Sequence, residues 1–75
     1  MLKMMITETM SLSDRVLLGG KPTEFTDLPS SVNLSGTIHK VIGLSQGVRA
    51  PYISLEVAKV NQFDYDSLRG TTIEA

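Results

Sequence analysis

The clearest rhythm of apolar and polar positions is VNLSGTIHKVI at 32–42, rich in β-branched residues and alternating at its start. Val32, Leu34, Gly36 and Ile38 share one face and Asn33, Ser35, Thr37 and His39 the other, as in a strand with one buried side. The alternation then slips: Lys40 falls on the apolar face, and Val41 and Ile42 are both apolar. That slip predicts a bulge or sharp bend between 36 and 40, with Gly36 as a barrel corner. A second run, YISLEVAKV at 52–60, sets Ile53, Leu55 and Val57 inward against Tyr52, Ser54, Glu56 and Ala58. Pro51 has no amide hydrogen for a ladder and marks the start of this strand. The connection GLSQGVRAP exceeds a two-residue turn and is expected to project from the body.

The flanking segments carry weaker signals. LKMMITETM reads as a strand with Leu2, Met4 and Ile6 inward, or as a helix with a stripe of Leu2, Met5, Ile6 and Met10. The β-branched Ile6, Thr7 and Thr9 favour the strand. SDRVLLGG is a strand from Arg15 to Leu18 ending in a Gly-Gly turn, or a helical turn capped by Ser13 and stopped by Gly19. The strand is preferred. KPTEFTDLPSS, with two prolines, reads as a connection or a lightly ordered edge, and FDYDSLRGTTIEA as a short strand, a turn over 66–70 and a last strand at 71–74. About five short strands and little helix predict an all-β fold, a small five-stranded OB-like or SH3-like barrel. All 75 residues are expected to form one domain, with 1–31 a less certain amino-terminal segment and 32–75 the core hairpin and carboxy-terminal strand.

Composition adds a constraint on stability. So short a chain holds a small core, and with no cysteine it has no disulfides to help, so self-association into a homo-oligomer, a homodimer first, is expected. No apolar run is long enough to cross a bilayer and the beginning lacks a secretion signal's apolar middle, so a cytoplasmic protein without a membrane partner is expected. Seven basic and eight acidic residues leave a formal charge of −1, too little for any whole-molecule attraction to nucleic acid. The basic residues nevertheless cluster: between 36 and 60, Lys40, Arg49 and Lys59 stand against Glu56, while Asp64, Asp66 and Glu74 follow later.

Catalytic chemistry finds little support. His39, the only histidine, would share its strand face with Thr37 and Val41, which offer no acid, base or metal ligand, and reads as a solvated or hydrogen-bonded surface residue. Asp64 and Asp66 would project from one strand face, too few oxygens for a hard cation and better read as a solvated acidic edge. GGKP lacks the upstream glycine and following hydroxyl residue of a phosphate loop. No catalytic residue, metal or cofactor is expected, and no enzyme. Of four aromatic residues, Tyr52 is the candidate for stacking a base, being opposite the inward face and near Arg49; packing on the barrel rim is the competing reading.

NLSGTIHKV, then SQG, a proline and ISLEV, resembles the first hairpin of the bacterial single-stranded DNA-binding OB-fold proteins, the primosomal replication protein B group especially. The matching residues are Leu34, Ser35, Gly36, Thr37, Ser45, Gly47, Leu55, Glu56 and Val57, within about a third of the chain. The resemblance implies a dimeric barrel gripping single-stranded DNA or RNA, with the segment before residue 32 or a second chain donating the missing strands. Lys40, Arg49, Tyr52 and Lys59 are the expected nucleic-acid-binding residues. The alternative is a non-enzymatic protein-interaction or structural module, such as an accessory subunit or a phage- or plasmid-encoded inhibitor, acting through a strand edge or the 43–51 loop.

Overall fold

In the computed structural model, which describes residues 1–45 and 49–75, six antiparallel strands form one sheet curled into a nearly closed barrel. They are β1 (Leu2–Ser11), β2 (Arg15–Phe25), β3 (Ser31–Leu34), β4 (Thr37–Ser45), β5 (Ile53–Ala58) and β6 (Thr72–Glu74), in the order β3-β4-β5-β2-β1-β6. The β1–β2 hairpin is inserted between β5 and β6, a Greek-key return, and β3 packs beside β6 at the remaining seam. The all-β class is as the sequence suggested, with six strands where five were expected. Segment 1–31 supplies the two longest.

Period-two patterning explains which side chains fill the barrel. Leu2, Met4 and Ile6 of β1, Val16 and Leu18 of β2, and Leu55 and Val57 of β5 are buried, each contributing about 1.5–3 kcal/mol. Leu68, from the 3-10 turn Asp66–Leu68, closes one end with Tyr65. On the outer surface, Arg15 fastens β2 to β5 by donating from Nη1 to Glu56 Oε1 at 2.7 Å. Its Nε and Nη2 donate to Asp14, and these hydrogen bonds hold the Asp14 carboxyl below its ordinary pKa.

The run at 32–42 is not one bent strand. Ser35 and Gly36, with φ of 51° and 87°, form a two-residue turn between β3 and β4, and the Asn33 side chain accepts the Gly36 N–H at 2.8 Å. Two positive φ values are what a type I′ hairpin turn needs, and its twist matches that of the paired strands. The turn also inverts parity. Leu34 pairs with Thr37 and Val32 with His39, so the inward residues are even-numbered in β3 and odd-numbered in β4. His39 is therefore buried, and Ile38, expected inward, is 64% exposed. The bulge lies later, where Val41 pairs with Val57 but Gly43 pairs with Glu56, leaving Ile42 as the extra residue. Ser35→Asn is expected to stabilise the protein by about 0.5–1 kcal/mol in urea unfolding, because asparagine adopts a positive φ more readily than serine. A loss of stability would contradict this turn geometry.

Two further expectations give way. GGKPTEF is neither a turn nor a connection: Gly19 and Gly20 lie inside β2, which continues to Phe25. Pro22 falls beyond Gly20, where the ladder to β5 has ended, so its missing amide hydrogen leaves that edge of the β2–β5 pairing intact. FDYD is not a short strand but a loop leading into the 3-10 turn, and in it Phe63 and Tyr65 pack against the core as a lid.

Candidate functional site

Two irregularities on the strands that flank β2 open a cleft of about 400 Å³, lined by Thr7, Glu8, Gly19, Gly20, Arg49, Tyr52 and Ile53. The first is a bulge in β1: Ile6 pairs with Gly20 and Glu8 with Gly19, so Thr7 is the extra residue. Thr7 Oγ1 donates to the Gly19 carbonyl at 3.3 Å, fixing the bulge against β2. The second is the start of β5, where the Tyr52 N–H donates to the Arg49 carbonyl at 2.9 Å. That bond closes a tight turn, bringing Arg49 and Tyr52 together at its two ends.

Gly19 forms the floor. A Cβ added there would lie 3.6 Å from the Glu8 Cβ, an ordinary contact, so its lack of a side chain is a matter of open space and not of packing necessity. Gly20 differs, since its Cβ would run into the Met5 carbonyl oxygen. Tyr52 is 50% exposed, and Arg49 and Glu8 are exposed as well. Among the described residues, neither the Arg49 guanidinium nor the Glu8 carboxylate has an ion pair or hydrogen-bond partner. The cleft thus combines an aromatic face, one unpaired cation, one unpaired anion and a floor without side chains. Such a set offers a stacking surface and two opposite polar anchors.

The four residues expected to bind nucleic acid do not gather in one place. Arg49 and Tyr52 share the cleft at the start of β5. Lys59 follows the other end of β5 and is engaged there: its Nζ donates to the Leu12 carbonyl at 3.1 Å and its N–H to the Asp14 carbonyl at 3.3 Å. It pins β5 to the β1–β2 turn and lies in a separate groove of about 320 Å³ shared with Phe63, Asp64 and Tyr65. Lys40 stands exposed on β4 opposite Ser31, between the outward Ile38 and Ile42. Gly47, one of the residues carrying the hairpin resemblance, lies with Gln46 and Val48 outside the described residues, and the first three positions of the expected 43–51 loop are the end of β4.

His39 is a buried structural residue and not a surface one. Its Nδ1 lies 3.0 Å from the Thr37 carbonyl and its Nε2 2.8 Å from the Tyr65 hydroxyl, and its ring meets Phe63 edge to face at 4.8 Å. Two of the four aromatic residues are thus committed to the lid, which leaves Tyr52 and Phe25 as the exposed ones. Asp66 accepts from Thr9 Oγ1 at 3.2 Å and meets Arg69 at 3.6 Å, and among the described residues no cluster of side chains could hold a metal ion.

Thr7, Glu8, Gly19, Gly20 and Ile53 are the members of the cleft that reading the sequence did not assign to a binding site. A glycine pair inside an otherwise β-branched and apolar run was the available signal, since glycine within a strand marks a bulge or a close backbone approach.

Fold and cleft together define an all-β barrel protein with an open, mixed-charge cleft on its wall. In comparisons with known proteins, no family model, no curated protein and no solved structure matches the chain.

Proposed function

We propose that this protein is an OB-like barrel that binds a short stretch of single-stranded DNA or RNA at the cleft, with a base stacked on Tyr52 and its phosphate on Arg49. The observation that carries the reading is the turn that holds Arg49 and Tyr52 together, both exposed, over the open floor at Gly19. The Greek-key return of the β1–β2 hairpin supports it in a general way, because OB-folds are also Greek-key barrels and bind oligonucleotides on a barrel wall and its adjoining loops. Stacking is the main source of affinity, worth about 1–3 kcal/mol per base. With Arg49 as the one cation in the cleft, the logarithmic salt slope is about −0.7, so affinity falls only about threefold between 50 and 200 mM salt.

The test is an anisotropy titration of a labelled single-stranded oligonucleotide. Tyr52→Ala is expected to weaken binding about tenfold or more, and Arg49→Ala to flatten the salt dependence. Gly19→Val, whose Cβ would make only ordinary contacts with Glu8 Cβ at 3.6 Å and with the Glu8 and Ile53 carbonyl oxygens at 3.8 and 4.0 Å, is expected to block binding in a protein whose fold is checked by circular dichroism. Lys40→Ala and Lys59→Ala are expected to change affinity less than about twofold, because a single-strand contact outside the cleft contributes only a screened surface charge. Equal affinity for the wild type, Tyr52→Ala and Gly19→Val would sink the proposal.

A second reading, a protein-interaction or structural module, is favoured by one feature. Ile38 and Ile42 are 64% and 44% exposed on the outer face of β4, an apolar pair on which a second copy could dock. A chain that ignores the oligonucleotide yet elutes as a dimer would favour this reading over the first.

A further inference from the structure

We propose that Glu8 makes the cleft selective for guanine, an inference that rests on the proposed binding of single-stranded nucleic acid there. Glu8 stands directly across from Gly19 on the neighbouring strand, at the rim of the cleft that Tyr52 and Arg49 also line. An exposed carboxylate repels a neighbouring phosphate, and Glu8 has no cation paired with it among the described residues to offset that repulsion. No ion pair or helix end explains it. Arg49 is equally unpaired, so the cleft presents two opposite charges that satisfy neither each other nor any described neighbour. A ligand meeting both has an anionic group at one end and hydrogen-bond donors at the other.

Among nucleotides, the base edge decides which ligand fits. An ionised carboxylate is purely an acceptor, with two oxygens able to receive two parallel donors. Guanine alone offers two adjacent donors on its Watson–Crick edge, N1–H and the N2 amino group. Adenine and cytosine each set one amino donor beside a ring nitrogen acceptor, which would face the second carboxylate oxygen lone pair to lone pair. Thymine and uracil place one N–H between two carbonyl acceptors and fit worst. A cleft of about 400 Å³ is at the small end of ligand sites, sized for a single nucleotide. In that arrangement guanine stacks on Tyr52, its edge meets Glu8 and its phosphate meets Arg49.

The experiment compares three labelled single-stranded probes of equal length: all thymine, thymine with one central guanine, and thymine with one central hypoxanthine. Hypoxanthine is guanine without the N2 amino group, so it isolates the second donor. The 75-residue chain is expected to bind the guanine probe about tenfold tighter than the hypoxanthine probe, toward the low end of what one bidentate base contact discriminates. Glu8→Gln, an exposed substitution whose fold is checked by circular dichroism, is expected to erase that preference, because its amide presents one donor and one acceptor. Equal affinity for the guanine and hypoxanthine probes, or a guanine preference that survives Glu8→Gln, would overturn the selectivity while leaving binding through Tyr52 and Arg49 intact. Failure of all three probes to bind would remove both.

Discussion

Gly20→Ala is expected to cost about 3 kcal/mol or more, whereas Gly19→Ala, one residue earlier on the same strand, is expected to change stability by less than about 1 kcal/mol. The contrast follows from what a single methyl group would meet. At Gly20 it points into the barrel wall and collides with the Met5 carbonyl oxygen, with Met4 Cγ at 3.0 Å and Sδ at 3.2 Å also in its way. The sulfur end of Met4 can swing aside, but the carbonyl cannot. Met5 is paired with Lys21 on one side and Thr72 on the other, and the neighbouring Ile6 N–H donates to the Thr71 carbonyl at 2.8 Å. Moving that oxygen means breaking the ladder that joins β1 to β6 and closes the barrel. A chain of this size has on the order of 4–11 kcal/mol of total stability, so the loss is a large fraction of it. By thermal melting, Gly20→Ala should lower Tm by about 12–24 °C. A Gly20→Ala protein melting within about 5 °C of wild type would mean that β1 and β2 do not approach so closely. The pair of variants also separates two uses of glycine, since Gly20 is required for packing and Gly19 leaves the cleft open.

How much of this was legible depended on whether the information is local. Alternation in LKMMITETM and ISLEV exposed the inward faces of β1 and β5, because a half-buried strand writes its period directly into the chain. The turn at Ser35 and Gly36 was hidden for a definite reason: Val32, Leu34, Gly36 and Ile38 continue a perfect alternation through it, and nothing in that pattern marks the reversal of direction. Once the chain reverses, a two-residue loop keeps paired residues on one face, so His39 replaces Ile38 inside. The apolar positions alone could not distinguish those outcomes, because burying His39 depends on a hydrogen-bond partner, Tyr65, that is 26 residues away. The cleft was half legible. Arg49 and Tyr52 were visible as a cation and an aromatic flanking a proline, but Glu8 and Gly19 join them only through the pairing of β1 with β2 and of β2 with β5. Lys40 and Lys59 looked like members of the same basic hairpin because charge counts ignore which way a strand faces and which end of it a residue occupies.

Tyr65→Phe is expected to destabilise the protein by about 2 kcal/mol although it removes a single oxygen from an otherwise unchanged ring. The lost oxygen links the His39 ring to the Val60 amide, so that His39, Tyr65 and Val60 form a chain of three groups. The Thr37 carbonyl can only accept, so in the neutral imidazole His39 Nδ1 carries the hydrogen and Nε2 accepts from the Tyr65 hydroxyl. The same oxygen then accepts the Val60 N–H at 2.8 Å. Phenylalanine preserves the contacts with His39 and Phe63, whose ring centroids lie 5.5 and 4.6 Å from that of Tyr65, and so changes hydrogen bonding alone. It leaves the fully enclosed Nε2 without a donor and Val60 without its acceptor, and each orphaned buried group costs about 1–3 kcal/mol, the partly exposed Val60 amide least because water can reach it. His39→Leu combined with Tyr65→Phe is expected to cost less than the two single changes added together, since removing both ends of a buried polar contact leaves less unsatisfied than removing one. The measurement is a double-variant cycle in urea, and additive single effects, or a Tyr65→Phe cost below about 0.5 kcal/mol, would show that the three groups do not act as a chain. The lid and the cleft sit at opposite ends of β5, roughly 17 Å apart at the rise of an extended strand. Oligonucleotide affinity at the cleft should therefore stay within about twofold in Tyr65→Phe, since changes at sites this far apart without shared partners act independently.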